Sequence, residues 1–496
     1  MSSRRDAGGV IVGERFRSTA DLLDRGARLA TVLAGMGVAP GARVLGLLGN
    51  DFAFYEVAFA VRRLGGVLVP VSTLLTAGEI ATIAADCAAA AVAAGPELAD
   101  LAAAAAPGVP MIVTAGPGDA AASHAYQCRL DAAQPWTGPR QPPAEPMLYT
   151  SGTTGRPKGV RKSAPTAQQQ AAMSAWLTEL FDLRPGMRTL IANPLYHSAA
   201  YGYSMLVLGQ GGVVVLERRF DAETFLRLIE AHRVTHLQMV PTMMHRLLKL
   251  PEDVRDRYDT GSLRHVLHGA GPCSPALKHA MIAWWGPIIN EYYGATETGG
   301  VVACSAAEWL AHPGTVGRPR DGAVVRVVDD EGRDVPAGVI GTIYVWHPSM
   351  PEFTYHGDPD KRRNMELDGL FSCGDVGYLD AEGYLYIADR RTDLILCGGV
   401  NVYPAEIERE LSAMPGIADC AVVGAPDEDL GQVPMAFVEL EPGLAVTLDD
   451  VRAFLAGRLA RQKLPRRLQV LDRLPREATG KVRKPRLLDL VNADPA

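Results

Sequence analysis

A chain of 496 residues exceeds what one hydrophobic core sustains, so about two to four compact units are expected. With 48% hydrophobic and 21% charged residues it lies far from the disordered regime, and a formal charge of −7 with a pI near 5.9 removes any overall electrostatic case for binding nucleic acid or an anionic membrane. Seven scattered cysteines without a C-x-x-C pair argue against a disulfide framework and against structural zinc, and for a reducing cytoplasm.

The N-terminus, MSSRRDAGGVIVGERFRS, lacks the apolar run of a signal peptide, and no segment reaches the roughly eighteen apolar residues of a membrane span. Residues 19–36 place Leu22, Leu23, Ala27, Leu29, Ala30 and Leu33 near one helical face behind a Thr/Asp start, and RVLGLLG and GGVLVPV read as strands. The alanine-rich tract 84–107 reads as low-complexity helix without a role. Between 188 and 250, RTLIANPL, GGVVVL and THLQMV read as strands around the helix DAETFLRLIEAH, and RHVLHGAG and PIINEYYG continue the alternation. Helices alternating with short β-branched strands predict parallel sheets covered on both faces, two of them here. Beyond about residue 315 short strands with Gly, Pro and Asp turns predict a β-rich unit. From DRRTDLI onward the order strand, helix, strand, strand, helix predicts a small α+β domain, with the boundary near 390.

The stretch YTSGTTGRPKGV at 149–160 carries the clearest chemistry. Gly152, Gly155 and Gly159 let backbone approach a ligand, Thr150, Ser151, Thr153 and Thr154 offer hydroxyls, and Lys158 a point charge, which together make a phosphate cradle. GTTGRPKG cannot be laid over G-x-x-x-x-G-K-[ST], so a P-loop NTPase is disfavoured.

This dodecamer resembles the signature loop of the adenylate-forming superfamily of acyl-CoA synthetases, aryl-CoA ligases, luciferases and peptide-synthetase adenylation domains. Further segments in family order extend the resemblance from about residue 19 to 486. It implies a large domain, 1–390, of two doubly wound parallel sheets plus a distorted β-barrel subdomain, and a small mobile α+β domain, 391–496. NEYYGATETGG resembles the Y-G-x-T-E segment, which implies Tyr293 against the adenine, Tyr292, Gly294 and Ala295 at the nucleotide, Thr296 at the α-phosphate and Glu297 holding Mg2+. A hard cation prefers carboxylate oxygen beside phosphates, which suits Glu297.

By the same resemblance Asp375 of FSCGDVG takes the ribose hydroxyls, a carboxylate being able to accept two hydrogen bonds, and Arg390 of DRRTDLI contacts ribose and phosphates. Gly269, Ala270 and Gly271 of GAGP pass between the acyl pocket and the adenine, His197 of NPLYHSAAYG lies beside that pocket, and Met239, Val240 and Pro241 complete its wall. Lys481 of LPREATGKVRKPRL is the lysine that reaches the carboxylate and α-phosphate during adenylation, where negative charge builds. Gly398 and Gly399 match the segment lining the pantetheine tunnel.

Residues 458–486 hold eleven Lys and Arg against Asp472 and Glu477; with an acidic remainder and no nucleic-acid motif they read as a solvated face plus nucleotide phosphates. Three positions depart from the family pattern: Thr392 stands at the hinge in place of Asp or Lys, Thr342 replaces a frequent Glu, and Cys373 replaces the usual Thr.

The resemblance therefore implies activation of a carboxylic acid with ATP and Mg2+ and its transfer to coenzyme A. The small, apolar pocket positions and the lack of a carboxylate near HSAAYG favour an apolar acid, fatty, alicyclic, polycyclic or aromatic, over an amino acid. Three alternatives stay open: transfer to the phosphopantetheine of a carrier protein, retention of one half-reaction only, and a non-catalytic nucleotide scaffold. Stable membrane insertion is not expected, and a homodimer stays open.

Overall fold

Nine strands run across the largest sheet in the order Arg318–Pro319, Gly299–Cys304, Ile289–Ala295, His265–His268, His236–Met239, Arg188–Ile191, Val213–Leu216, Gly9–Val12 and Arg15–Ser18. The six from Ile289–Ala295 to Gly9–Val12 are parallel, while Arg15–Ser18 and the pair Gly299–Cys304 and Arg318–Pro319 add antiparallel edges. A second, wholly parallel sheet has the order Val67–Pro70, Arg43–Leu47, Ala91–Ala94, Met111–Val113. These coordinates are a computed structural model, which describes residues 8–139, 141, 144–150, 158–477 and 480–493.

The two sheets carry helices between them, and the packing is set by local chemistry. Ser18 caps the helix Thr19–Gly35 by accepting from the Asp21 amide at 3.1 Å, and Leu22, Leu29, Ala30 and Leu33 are fully buried. Gly26 lets this helix lie against the helix Phe52–Arg63, since a Cβ there would come within 2.7 Å of Phe59 Cβ. Leu23, expected on the inner face, is 46% exposed: next to Leu22 in the chain, it is turned about 100° away from it.

The alanine tract is a larger correction. Ala91–Ala94 is a fully buried strand in the middle of the four-stranded sheet, flanked by the helices Ala77–Asp86 and Ala99–Ala105. A parallel strand covered on both faces does not alternate in polarity, and three alanines around the single β-branched Val92 leave too weak a signature to separate it from helix.

The β-rich unit is an antiparallel sheet of Glu366–Leu367, Leu370–Phe371, Gly341–Trp346, Asp375–Leu379 and Leu385–Arg390, with Val324–Val328 on the other edge of Gly341–Trp346. A three-stranded sheet, Phe353–Tyr355, Lys158–Lys162, Leu148–Thr150, joins the signature loop to this unit. The last sheet runs Val400–Val402, Ile395–Cys397, Gly431–Leu440, Ile417–Asp427, with Arg467–Val470 parallel to Gly431–Leu440, and has its own buried core including Ile407, Val422, Phe437 and Val451. The strand Arg467–Val470 and the helix Lys484–Ala493 were not anticipated from sequence.

Around Thr392 the chain is strapped. The Ala405 amide donates to Asp389 Oδ2 at 2.8 Å, and Lys484 lies 3.2 Å from Asp393 and 3.5 Å from Glu408. Arg391 donates to Thr342 Oγ1 at 2.8 Å and pairs with Asp330, so the threonine at 342 is used as an acceptor beside this turn. Among the described residues no helix is long and apolar enough to cross a membrane, and all seven cysteines are free.

Candidate active site

In an open α/β sheet the carboxyl ends of parallel strands leave a crevice for ligands. Here those ends carry Asn193–His197 after Arg188–Ile191, Val240 and Pro241 after His236–Met239, and Gly269–Gly271 after His265–His268. Asn50, absent from the sequence reading, braces the first of these turns. Its Nδ2 donates to the Asn193 and Glu217 carbonyls at 3.0 and 2.9 Å, and its Oδ1 accepts from the Leu195 amide at 2.8 Å. An isolated Asn after a strand carries no sequence signal for so distant a partner.

His197 then begins the helix Ser198–Gly209, its ring 4.6 Å from that of Tyr196 and its Nε2 buried without a hydrogen-bond partner. Burial, and secondly the charge of Lys481, push its pKa down to about 4, so the ring is neutral near pH 7. Met239 and Val240 are buried in the core that also holds Met243 and Met244, and Gly271 has Pro241 Cδ as its nearest neighbour at 4.0 Å from a built Cβ. Gly269 has no room for a side chain, because a Cβ would meet the Tyr292 ring at 2.6 Å, and Ala270 holds a positive φ of 66°.

The strand Ile289–Ala295 kinks at Tyr293/Gly294, where a Cβ on Gly294 would collide with the Gly299 carbonyl. Its Ala295 amide donates to Thr298 Oγ1 at 3.2 Å, closing the turn that carries Thr296 and Glu297. Tyr293 donates its hydroxyl to Asp375 Oδ2 at 2.7 Å, and Arg390 Nε lies 3.4 Å from Asp375 Oδ1. Asp375 and Arg390 are register partners on adjacent strands, which fixes this triad.

Glu297 is 8% exposed and accepts from the Tyr355 hydroxyl at 2.7 Å. Tyr355 pairs with Val160 across the three-stranded sheet, Lys361 Nζ lies 4.1 Å from its ring, and Lys158 is ion-paired with Asp358. Asp358 also caps the short helix Pro359–Arg363 by accepting from the Lys361 amide at 3.1 Å, and the ammonium of Lys158 holds its carboxyl below the usual range. Lys162, on the same strand as Lys158, has its pKa lowered by burial, against the opposing charges of Glu145 and Glu297. Thr150, Ser151, Gly152, Thr153, Thr154 and Gly155 carry the expected phosphate contacts; the side chain of Thr150 and the whole of 151–155 lie outside the described residues.

His347 ties Thr298 to the β-rich unit. A carbonyl can only accept, so Nε2–H donates to Thr298 O at 2.7 Å, and Nδ1 accepts from the Arg320 guanidinium. Burial brings this histidine also to about 4. Because His197 and His347 titrate below the ~6.5 of an unfolded histidine, the unfolded chain binds more protons between about pH 6.5 and 4. Stability is therefore expected to fall as pH is lowered through that window. Thermal melts from pH 7.5 to 4.5 check this, and His347→Gln should flatten part of the slope.

The small domain delivers Lys481 to this cluster. Gly480, at φ 82°, packs on the Thr242 side chain with no room for a Cβ, Lys249 Nζ donates to the Ala418 carbonyl at 2.7 Å, and Arg476 supports the Gly480 carbonyl while gripping Asp419 at 2.6 Å. Lys481 is exposed to solvent yet crowded by protein. Burial and the Arg390 charge lower its pKa, and Glu477, Asp375 and Glu297 oppose that shift. The charges of Arg390, Asp375 and Glu297 thus reach Lys481 from the large domain, and that of Lys481 reaches His197.

Gly398 and Gly399, by contrast, form the two-residue turn, both with positive φ, of the hairpin Ile395–Cys397/Val400–Val402, whose strands pair within the C-terminal sheet. Thr392 is exposed in a single helical turn, Arg391–Asp393, with its hydroxyl 3.3 Å from Asp393 Oδ1. Among the described residues no group of three or more His, Cys, Asp or Glu could hold a metal ion.

A family profile described as AMP-binding enzyme matches residues 4–352, and its C-terminal domain profile matches 406–481. The chain belongs to this AMP-binding enzyme family. Its members include relatives of nearly the same length. The chain is 36% identical over 483 residues to the fatty acid–[acyl-carrier-protein] ligase ScoC of Streptomyces coeruleorubidus, covering 95% of this chain and 90% of that one. It is also 36% identical over 475 residues to a feruloyl-CoA synthase of an Amycolatopsis species, covering 94% and 92%. ATP-bound MatB from Rhodopseudomonas palustris superposes with a TM-score of 0.85 at 30% identity, covering 97% and 95% of the two chains.

Proposed function

We propose that this AMP-binding enzyme is an acid–thiol ligase, converting an apolar carboxylic acid and ATP to an acyl-adenylate and passing the acyl group to coenzyme A, with domains divided at 390/391. The observation that carries the reading is the Tyr293–Asp375–Arg390 triad set beside the buried Glu297 held by Tyr355, with Lys481 of the small domain close enough for its charge to act on His197. A feruloyl-CoA synthase and ATP-bound MatB among the similar proteins support it.

In this reading Asp375 and Arg390 hold the ribose, Tyr293, expected against the adenine, also braces Asp375 through its hydroxyl, and Tyr292 and Gly269–Gly271 face the base. The carboxylate attacks the α-phosphorus, forming the acyl C–O–P bond as the bond to pyrophosphate breaks. Lys481 and Thr296 stabilise charge at the α-phosphate, and Lys158 that on the leaving group. Neutral His197 walls the acid without adding charge. The small domain then turns about Thr392, withdraws Lys481 and presents the Gly398–Gly399 hairpin, and the thiol attacks the acyl carbon and expels AMP.

Mg2+ fits Glu297: the carboxylate is buried, Tyr355 occupies one oxygen, and with no His, Cys, Asp or Glu cluster among the described residues the remaining ligands would be phosphate oxygens and water. When bound, the ion supplies charge neutralisation to the phosphates. A reducing cytoplasm suits the seven free thiols.

Carrier-protein phosphopantetheine is the second reading, favoured by the ScoC relative. A panel of fatty, alicyclic, polycyclic and aromatic acids with MgATP, scored separately for pyrophosphate exchange and for thioester mass, tests both. Exchange with some acids and thioester on free coenzyme A is expected. Thioester on a holo-carrier alone would transfer the assignment to the second reading, and no exchange with any acid would end it.

A further inference from the structure

The basic C-terminal segment has a use beyond Lys481. A cleft of about 470 Å³ lies on the seam between the domains, lined by Arg473, Arg476, Arg483 and Arg486 with Asp489, and by the apolar Leu74, Leu471, Pro475 and Leu490. Leu74, from the large domain, is 58% exposed, and Leu490 is exposed on the helix Lys484–Ala493. Arg476 is committed to Asp419 and Gly480, but Arg473, Arg483 and Arg486 make no ion pair within 4.0 Å among the described residues. Glu79, a large-domain acid, is occupied first by the Thr76 amide, with Arg483 and Arg486 only adding to the fall in its pKa.

We infer that this cleft binds the phosphates of a nucleoside bisphosphate or polyphosphate, with the base against the leucines, and that the bound ligand ties the domains in the arrangement that keeps Lys481 in the crevice. Several cations with unfilled hydrogen-bonding capacity on one wall call for phosphate, which guanidinium forks match bidentately. The apolar wall and a volume well above that of a bare pyrophosphate call for a nucleoside beside it. The link to Lys481 is covalent and short. Arg483 lies two residues beyond it, its amide donates to the Pro475 carbonyl at 2.7 Å, and the Glu477 amide donates to the Lys481 carbonyl at 2.8 Å, so one wall of the cleft is the back of the lysine loop. Because Leu74 and the arginines belong to different domains, the complete site exists only while the domains sit as here. Such a ligand therefore opposes the turn needed for thioester formation, a consequence that rests on the proposed function, whereas the binding itself does not.

Calorimetric titration of adenosine 3′,5′-bisphosphate into the full chain, with the nucleotide crevice filled by AMP, is the test. One equivalent should bind, R473A/R486A should weaken it at least tenfold, and R473E/R486E should abolish it, with melting temperature and pyrophosphate exchange unchanged. In turnover, coenzyme A in excess should slow thioester release, dephospho-coenzyme A should not, and R473A/R486A should relieve the inhibition. If ATP rather than coenzyme A shows the arginine-dependent effect, the source is free nucleotide and the site stands. Equal bisphosphate affinity in wild type and variants overturns the site, as does an arginine-dependent response to pyrophosphate alone or to an acidic carrier protein alone.

Discussion

Lys481→Ala is expected to cut acid-dependent pyrophosphate exchange by about a hundred- to a thousandfold, the usual cost of one preorganised donor at developing charge. The side chain is preorganised from behind: Gly480 is wedged on Thr242, Arg476 supports its carbonyl, and the Glu477 amide holds the Lys481 carbonyl at 2.8 Å. Alanine removes the ammonium and leaves that scaffold intact. Conversion of supplied acyl-adenylate to thioester should then stay within about twofold of wild type, since in the proposed cycle the lysine leaves the crevice before that step. Single-turnover assays of each half-reaction separate the two, and an equal loss in both would overturn the division of labour.

Lys278→Met is expected to be the costliest single change to stability. Lys278 is fully buried on the helix Pro275–Trp285, donates to Glu291 Oε2 at 2.7 Å and lies 4.9 Å from the Trp309 ring. His268, 3.4 Å from the same oxygen, is held neutral by burial and by the charge of Lys278. Removing the lysine strands a buried carboxylate, which costs about 3–5 kcal/mol. The loss should shrink toward acid pH, because His268, freed of Lys278, can then take a proton and pair with Glu291. Removing both charges, in K278M/E291L, should recover much of it. Denaturant unfolding at pH 6 and pH 8 measures all three effects.

What could be read from sequence divides along a physical line. Elements whose signal is local were legible: the strands that end before His197 and Gly269, the turn-rich strands beyond about residue 315, and the strand and helix order that follows DRRTDLI. Residues whose role depends on a distant partner were not. Asp358 meets Lys158 across 200 residues of chain, and Asn50 reaches Asn193 across 143. Lys278 reads as an ordinary helix lysine, since only the fold reveals that its neighbours are Glu291 and Trp309. Ala91–Ala94 was read as helix because alanine has the highest intrinsic helix propensity, and the covered sheet overrides it. His347 and Arg320 sit outside every motif, and their value lies in fixing Thr298 beside Glu297.

The strap from the Ala405 amide to Asp389 bears on how fast the enzyme can cycle. It spans Thr392, the proposed hinge, and both of its ends are partly or wholly shielded from water. Any large swing about that residue has to part it, then remake it before the next acid is processed. Where chemistry is quick, this unlatching would pace the whole cycle, and the steady-state rate would then follow the friction of the medium.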